Sequence, residues 1–292
     1  MYSNPATPQE TEAVRLTIAH LRARVEAADR LRESLVATDV SQLALDRKSG
    51  FGDQLLSHAA LWTLSADGHF LTLAATLSTG ELHAFGLYSL LRGAAEPLAR
   101  IAWLLDDTQP SEIRHQRLLV ERLANVKEQR KFQAAKAAAD ARIKEITDVA
   151  TAAGFETTES KGNPIHFGQP RPYATHLFRD LLLEHDASPA EEALGSLLYR
   201  TLSAHVHSTM FALISQADST RPRNGPDRTA AIELNTAQFL ALLSGVLMLH
   251  DVAQLRWSKL LGHGERPWLE LRSSLPPQAD FEALRASSAI RL

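Results

Sequence analysis

Apolar residues in this chain recur with the period of a helix, and no stretch alternates in a way that demands a sheet. Leu87, Leu91, Ala94, Leu98, Ile101 and Leu105 are separated by alternating steps of four and three, which returns them to one side of an α-helix. With 45% hydrophobic and 22% charged residues over 292 positions, the chain has the makeup of a globular protein able to bury a substantial core. The expected fold class is all-α: a helical bundle with one long helix and two irregular loops.

The pattern predicts a first helix from about Gln9 to Ala37 and an apolar helical segment from Asp53 to Leu77, interrupted at Gly68. A third helix runs from Gly80 to Leu105, kinked at Pro97 because proline removes a backbone donor. Ser111 is placed to cap one long helix that continues to about Ala153 and stops at Gly154. Its alanine-rich half suits a helix that is half solvated or packed closely against a neighbour. Residues 154–172 carry glycines and prolines without periodicity and predict a loop. A short helix follows from Tyr173 to Glu184. Ser188-Pro189-Ala190-Glu191 then combines a cap, a proline at the first helical position and a glutamate three residues after the cap. That helix is expected to reach about Gln216. An irregular stretch from Asp218 to Asp227 leads to a last long helix, Thr236 to Leu261, ended by Gly262. In domain terms, residues 1–50 flank the core, residues 51–265 form it, and residues 266–292 make a weakly structured tail.

The chain has no cysteine, which excludes disulfides, thiolate metal sites and cysteine nucleophiles. A net charge of -3 argues against a general nucleic-acid or membrane-surface binder but leaves room for a local basic patch. No secretion signal opens the sequence, and the apolar run from Phe239 to Leu249 is too short to span a bilayer. The expected compartment is the cytoplasm, with no membrane partner.

Three places carry chemistry. In the segment Leu197 to Ser208, the stripe Leu194, Leu198, Leu202 and Val206 is apolar, whereas Arg200, Ser203 and His207 share another face and His205 points away. An arginine holds phosphate and a histidine moves protons near neutral pH, which are minimal parts for cleaving RNA at its 2′-hydroxyl. Arg200 and His207 are two turns apart, about 10 Å, so two copies of this helix facing each other across a two-fold axis meet the requirement better than one. The alternative is that these groups are structural, with Arg200 paired to a carboxylate. The second place is Arg92, Glu96, Arg100 and Trp103, spaced four, four and three on the third helix. The third is the helix start after Glu112. There Arg114, Arg117, Arg122, Lys127, Arg130, Lys131 and Lys136 outnumber the acidic residues, a candidate nucleic-acid track or simply a solvated face. Glu112 and His115 form one Glu-x-x-His pair, half of what a di-iron bundle needs. No cofactor motif and no convincing metal-ligand set is present.

An arginine followed five or seven residues later by a histidine, as Arg200 precedes His205 and His207, resembles the HEPN superfamily of helical ribonucleases and toxins. Thr201 is polar, as is common after that arginine, though not the usual asparagine, aspartate or histidine. "LLRGAAEPLARIAWLLDD" (Leu90 to Asp107), the arginine-rich helix after it and "LYRTLSAHVHST" (Leu198 to Thr209) are similar to helical families of actinobacteria without assigned function. They are similar too to HEPN-like families that pair an Arg-x-x-x-Glu helix with a Tyr-Arg-x-Leu-Ser…His helix. The resemblance covers about Leu55 to Ser215. It implies that the two segments lie side by side, so that Arg92, Glu96, Arg200 and His207 converge. Arg200, His207, His205 and Glu96 are then the catalytic candidates, and Arg92, Arg100, Ser203 and Tyr199 the substrate-binding ones. The implied partners are RNA, a second copy of the chain and, for a toxin, an antitoxin or other protein. Since HEPN-like proteins also include members that bind without cleaving, a non-enzymatic helical binding or scaffold protein is the alternative.

Overall fold

The computed structural model describes residues 8–80, 84–183, 189–207 and 236–278. Among them are ten α-helices and one two-stranded hairpin, so the protein is all-α in character, as the apolar period requires. The helices are α1 (Pro8–Ser34), α2 (Gln42–Lys48), α3 (Gly52–Ser78), α4 (Ala84–Leu104), α5 (Ser111–Arg130), α6 (Lys136–Ala152), α7 (Ala174–Leu183), α8 (Pro189–Val206), α9 (Thr236–Leu260) and α10 (Arg266–Ser273).

The period-derived stripe on α4 is dry: Leu87, Leu91, Ala94, Leu98, Ile101 and Leu105 are all buried. So are Tyr88, Ala95, Ala99 and Ala102 on its other flanks, and no residue from Leu90 to Leu104 is exposed. Small residues on several sides let neighbours close in from all of them, and α4 packs against α3, α9, α8, α7 and α5. The helix runs through Pro97 without ending. Likewise α3 continues through Gly68, because Ala66, Phe70, Leu73 and Ala74 bury around that position and outweigh a propensity cost of about 1 kcal/mol. Opposite this buried side, α3 presents Leu61, Leu64 and Leu71 to solvent.

Four expectations need correcting. The single helix expected from Ser111 to Ala153 is two. After α5 the chain becomes extended at Phe132, makes a 3₁₀ turn over Gln133–Ala135, and returns as α6 packed on α5. An unbroken helix would carry Leu123 and Val126 away from Ala139, Ile146 and Ala150; folding back buries all five. Arg130 pairs with Asp140 across the turn at 2.6 Å. Secondly, Ser111 is not the cap. Pro110 holds that position, and the Ser111 hydroxyl accepts a hydrogen bond from Arg114 Nη2.

Thirdly, the expected loop at 154–172 holds an antiparallel hairpin, β1 (Thr157–Ser160) and β2 (Asn163–Phe167). Its turn residues, Lys161 (φ 53°) and Gly162 (φ 71°), both lie in the left-handed region that a tight two-residue hairpin demands. Pro164 and a bulge between Thr158 and Glu159 erase the alternation that announces strands. Gly154, at φ 77°, does stop the preceding helix as expected.

Lastly, the segment after Pro267 is not weakly structured where it is described: α10 docks through Trp268, which is fully buried against Ala27, Ala28 and Leu31 of α1. The predicted cap Ser188, the stretch from Ser208 to Gln216 and the irregular segment Asp218 to Asp227 lie outside the described residues. In α9, Gln238–Leu260 is long and apolar enough to cross a membrane by length and composition, but 72% of its most apolar window is buried inside the fold.

The docking of α10 gives a direct expectation. Trp268→Ala should lower the free energy of unfolding by about 3–5 kcal/mol, the cost of emptying an aromatic core site. Leu269→Ala, at a position 43% exposed, should cost well under that. Urea unfolding of the two variants beside the parent chain checks this, and equal effects would mean α10 is not docked.

Candidate functional site

The α4–α8 seam gathers most of the polar residues singled out in the sequence. Leu198 and Leu202 of α8 are buried, which orients the helix and turns Tyr199, Ser203 and His207 toward α4. Gly195 sets the approach of α8 to α7. A Cβ there would sit 2.4 Å from the Phe178 carbonyl oxygen, so any side chain would push α8 away. Arg92 occupies the centre of the cluster. Its Nε donates to Glu96 Oε1 at 2.7 Å, one turn along α4, which fixes the plane of the guanidinium. From there Nη1 reaches Ser203 Oγ at 3.4 Å and His207 Nε2 at 3.3 Å, and the guanidinium lies over the Tyr199 ring at 5.5 Å. A guanidinium only donates, so this contact leaves the His207 Nε2 lone pair as acceptor and places the ring proton on Nδ1. The Arg92 side chain is 18% exposed and that of Glu96 42%. His207 is exposed at the end of α8. The cluster is therefore a surface site with one buried edge.

Three sequence candidates fall elsewhere. Arg200 is exposed and takes no part in the Arg92 contacts, so the four residues expected to converge do so only as Arg92, Glu96 and His207. His205 is buried, stacked on Tyr88 with ring centroids 3.9 Å apart, and its Nδ1 has no hydrogen-bond partner. Burial lowers its pKa below the ordinary histidine value, and it stays neutral in the fold. Arg100 turns to another seam. It donates to Glu121 of α5 at 2.9 Å, and Glu121, with no exposed side-chain surface, also holds Arg171. Trp103 lies under Arg117, 5.1 Å from its guanidinium. Four residues spaced as one helical face thus serve two different helices. At about 100° per residue the ladder returns close to its starting side after eleven residues, but it extends about 16 Å along the axis, and α8 and α5 meet α4 at different points along it.

The basic run on α5 is paired within the fold. Arg114 is fully buried against Asp46 at 3.0 Å, and Arg117 pairs with Asp106. Arg122 binds Gln54 and Glu145, Lys127 the Pro164 carbonyl, and Arg130 and Lys136 share Asp140, while Lys131 pairs with Glu128. His115 contacts Asp46 at 3.0 Å and stacks on Phe51. Burial pushes Asp46 up, but the hydrogen bonds from His115 and Arg114 outweigh it and hold the carboxyl below its ordinary value. Glu112 binds Gln116 instead of lying with His115. Among the described residues no group of three His, Asp or Glu side chains gathers as a metal site.

A second polar constellation joins α1, α9 and α10. Arg24, 3% exposed, lies on the buried face of α1 among Leu21, Val25 and Ala28. Its Nη2 bonds Asp251 and the Leu247 carbonyl, its Nε donates to His250 Nδ1 at 3.0 Å, and Nη1 meets His20 Nε2 at 3.2 Å. Asp251 also accepts from Trp268 Nε1 at 3.0 Å and pairs with Arg272 at 3.3 Å. Burial lowers the Arg24 pKa to about 10, against the pull of Asp251, and leaves it charged at neutral pH. Beside these groups is a cleft of about 290 Å³ lined by His20, Arg24, Ser244, Met248, Asp251 and Arg272 among others. The sequence held a sign of it: His20 and Arg24 fall, four apart, on the apolar stripe of α1, and His250-Asp251 interrupts the apolar run of α9.

No protein-family model matches this chain, and neither the curated proteins nor the solved structures contain a match. The geometry alone therefore carries the functional argument.

The buried titratable groups set a pH dependence. Burial lowers His20, His58, His69, His205 and His250 below the ordinary value of 6.5. On acidification below 6.5 the unfolded chain therefore binds protons that the fold refuses, and stability falls. Asp67 acts in the opposite sense. Burial raises it to about 6 from 3.8, against the pull of Arg32, so the fold retains a proton that the unfolded chain has released. Its contribution thus improves as pH drops from about 6 toward 3.8. Urea unfolding between pH 7.5 and 5.5 should show a net loss of stability toward acid, and the loss should steepen in Asp67→Asn. A stability that is flat or rising toward pH 5.5 would contradict this balance.

Proposed function

We propose that the protein is a metal-independent ribonuclease acting as a homodimer, with the α8 helices of two copies facing each other across a two-fold axis. The observation that carries this reading is the contact of Arg92 with His207. It sets a surface histidine with a defined tautomer beside a guanidinium that Glu96 holds in place, on the same helix as an exposed arginine. Leu197, 58% exposed on α8 one turn before Arg200, supplies an apolar contact for a facing copy.

In this reading Arg200 of one copy neutralises the scissile phosphate, and His207 of the second copy accepts the proton of the ribose 2′-hydroxyl. The bond from the 2′-oxygen to phosphorus forms as the bond to the 5′-oxygen breaks. The proton then passes to the departing 5′-oxygen, directly or through water, leaving a 2′,3′-cyclic phosphate and a 5′-hydroxyl. The contact between Arg92 and His207, at 3.3 Å, is at the long end of hydrogen bonds, so a ribose hydroxyl competes for the same lone pair. Arg92, Glu96, Ser203 and Tyr199 are positioning residues around the histidine. The guanidinium stabilises charge and the imidazole moves the proton, so the step balances without a metal ion.

The test is incubation of the purified chain with total RNA in EDTA, beside Arg200→Ala and His207→Ala. Cleavage by the parent chain should fall by at least about 100-fold in each variant. Their stability should move by less than about 0.5 kcal/mol, since both side chains are exposed. Mixing the two inactive variants is more decisive. If Arg200 and His207 of one site come from different copies, the mixed dimer holds one intact site, and about a quarter of the parent activity returns. No cleavage by the parent chain would overturn the nuclease reading in favour of a helical binding or scaffold protein. Cleavage without restoration on mixing would confine the site to one copy.

A further inference from the structure

The cleft between α1, α9 and the segment after α10 shares no residue with the Arg92–His207 cluster, and we infer that it binds a small amphiphilic anion, a carboxylate or phosphate bearing an apolar chain. Three observations lead there. The first is an imbalance of charge. Two guanidinium groups, Arg24 and Arg272, face one carboxylate, Asp251, and His20 contributes no charge at neutral pH. Asp251 is already committed, accepting from Arg24 and Trp268 on one oxygen and meeting Arg272 with the other. Among the described residues the cleft therefore sets two guanidinium groups against one carboxylate, the excess at Arg272 on its rim, and a bound anion evens that count.

The second observation is the supply of donors. Arg24 uses Nε, both Nη2 hydrogens and one Nη1 hydrogen on His250, Leu247, Asp251 and His20. It is locked in place with one N–H remaining. Arg272, at the rim and with its side chain 52% exposed, has its Nε 3.3 Å from Asp251, and its Nη groups can present a fork to a carboxylate or phosphate. One arginine is thus prearranged by the fold and the other is free to close on a ligand.

The third is shape. The space of about 290 Å³ is lined by Leu247, Met248, Leu275 and Pro276 as well as by the charged groups, so a molecule whose anionic head meets the arginines can lay a chain against apolar side chains. A free inorganic ion uses only half of such a site.

The experiment is calorimetric titration of the full chain with octanoate and with octyl phosphate. Octan-1-ol and inorganic phosphate serve as probes that each lack one half of the chemistry. At least one of the two amphiphiles should bind at least about tenfold more tightly than either control, and the stronger of the two identifies the head group. Arg272→Ala should weaken that binding by about tenfold or more while leaving the melting temperature of the free protein unchanged, as the side chain is half exposed. Met248→Trp, which fills the cleft without touching either charge, should abolish it. Three results would each overturn the inference: no binding of either amphiphile, octanol binding as tightly as octanoate, or unaltered binding in both variants. Titration of His207→Ala separates this site from the proposed nuclease, because binding should persist there whether or not RNA is cleaved.

Discussion

A helix that must be dry on almost every side governs this architecture. From Leu90 to Leu104 every residue of α4 is buried or half-buried, and five other helices pack around it. Its alanines make that possible, since neighbours pack closely where side chains are short. Its few charged residues then have nowhere to go except the seams. Arg92 and Glu96 emerge where α8 closes on α4, and Arg100 where α5 does. The position of the candidate site follows from this exclusion of water, with α8 oriented by its buried Leu198 and Leu202 and held close to α7 by the bare backbone at Gly195.

Charge buried in such a bundle has to be matched within it. The pairs Arg114–Asp46 and Arg24–Asp251, together with Glu121 held between Arg100 and Arg171, each bury at least one ion. An unmatched buried ion costs several kcal/mol, so each of these groups carries partners from other elements. The requirement accounts for the fate of the basic run on α5. Arg114, Arg117, Arg122, Lys127 and Arg130 of that run reach partners on other elements, whereas Lys131 and Lys136 pair with acids three and four residues away and stay exposed. In the α1–α9–α10 network two arginines share one carboxylate, and the network borders a cleft of about 290 Å³.

The candidate site was legible in part. Arg92, Glu96, Ser203, Tyr199 and His207 meet, and helical spacing together with a family resemblance had singled out all five. Arg100 and Trp103 had the same kind of spacing argument, His205 only the family resemblance, and all three serve packing instead. Spacing places a residue on a face of its helix, but it does not say which neighbour that face meets. Arg24, His20 and Asp251 were passed over because a polar residue on an apolar stripe looks like a defect until the partner that compensates it is in view.

What the sequence by itself determined is the helical class and, to within a few residues, the extents of α1, α3, α4, α7 and α9. Apolar period and the stop at Gly154 depend on residues within a few turns of one another, and the chain carries that information locally. Tertiary structure decided where a helical tendency was overruled. The break at Phe132 pairs α6 with α5, the hairpin seats Phe167 in the core, and α10 forms around a buried Trp268. In each case apolar surface gained from a distant element outweighs the local preference. Those same long-range contacts decide which of the polar side chains stand together at a surface and which are locked inside.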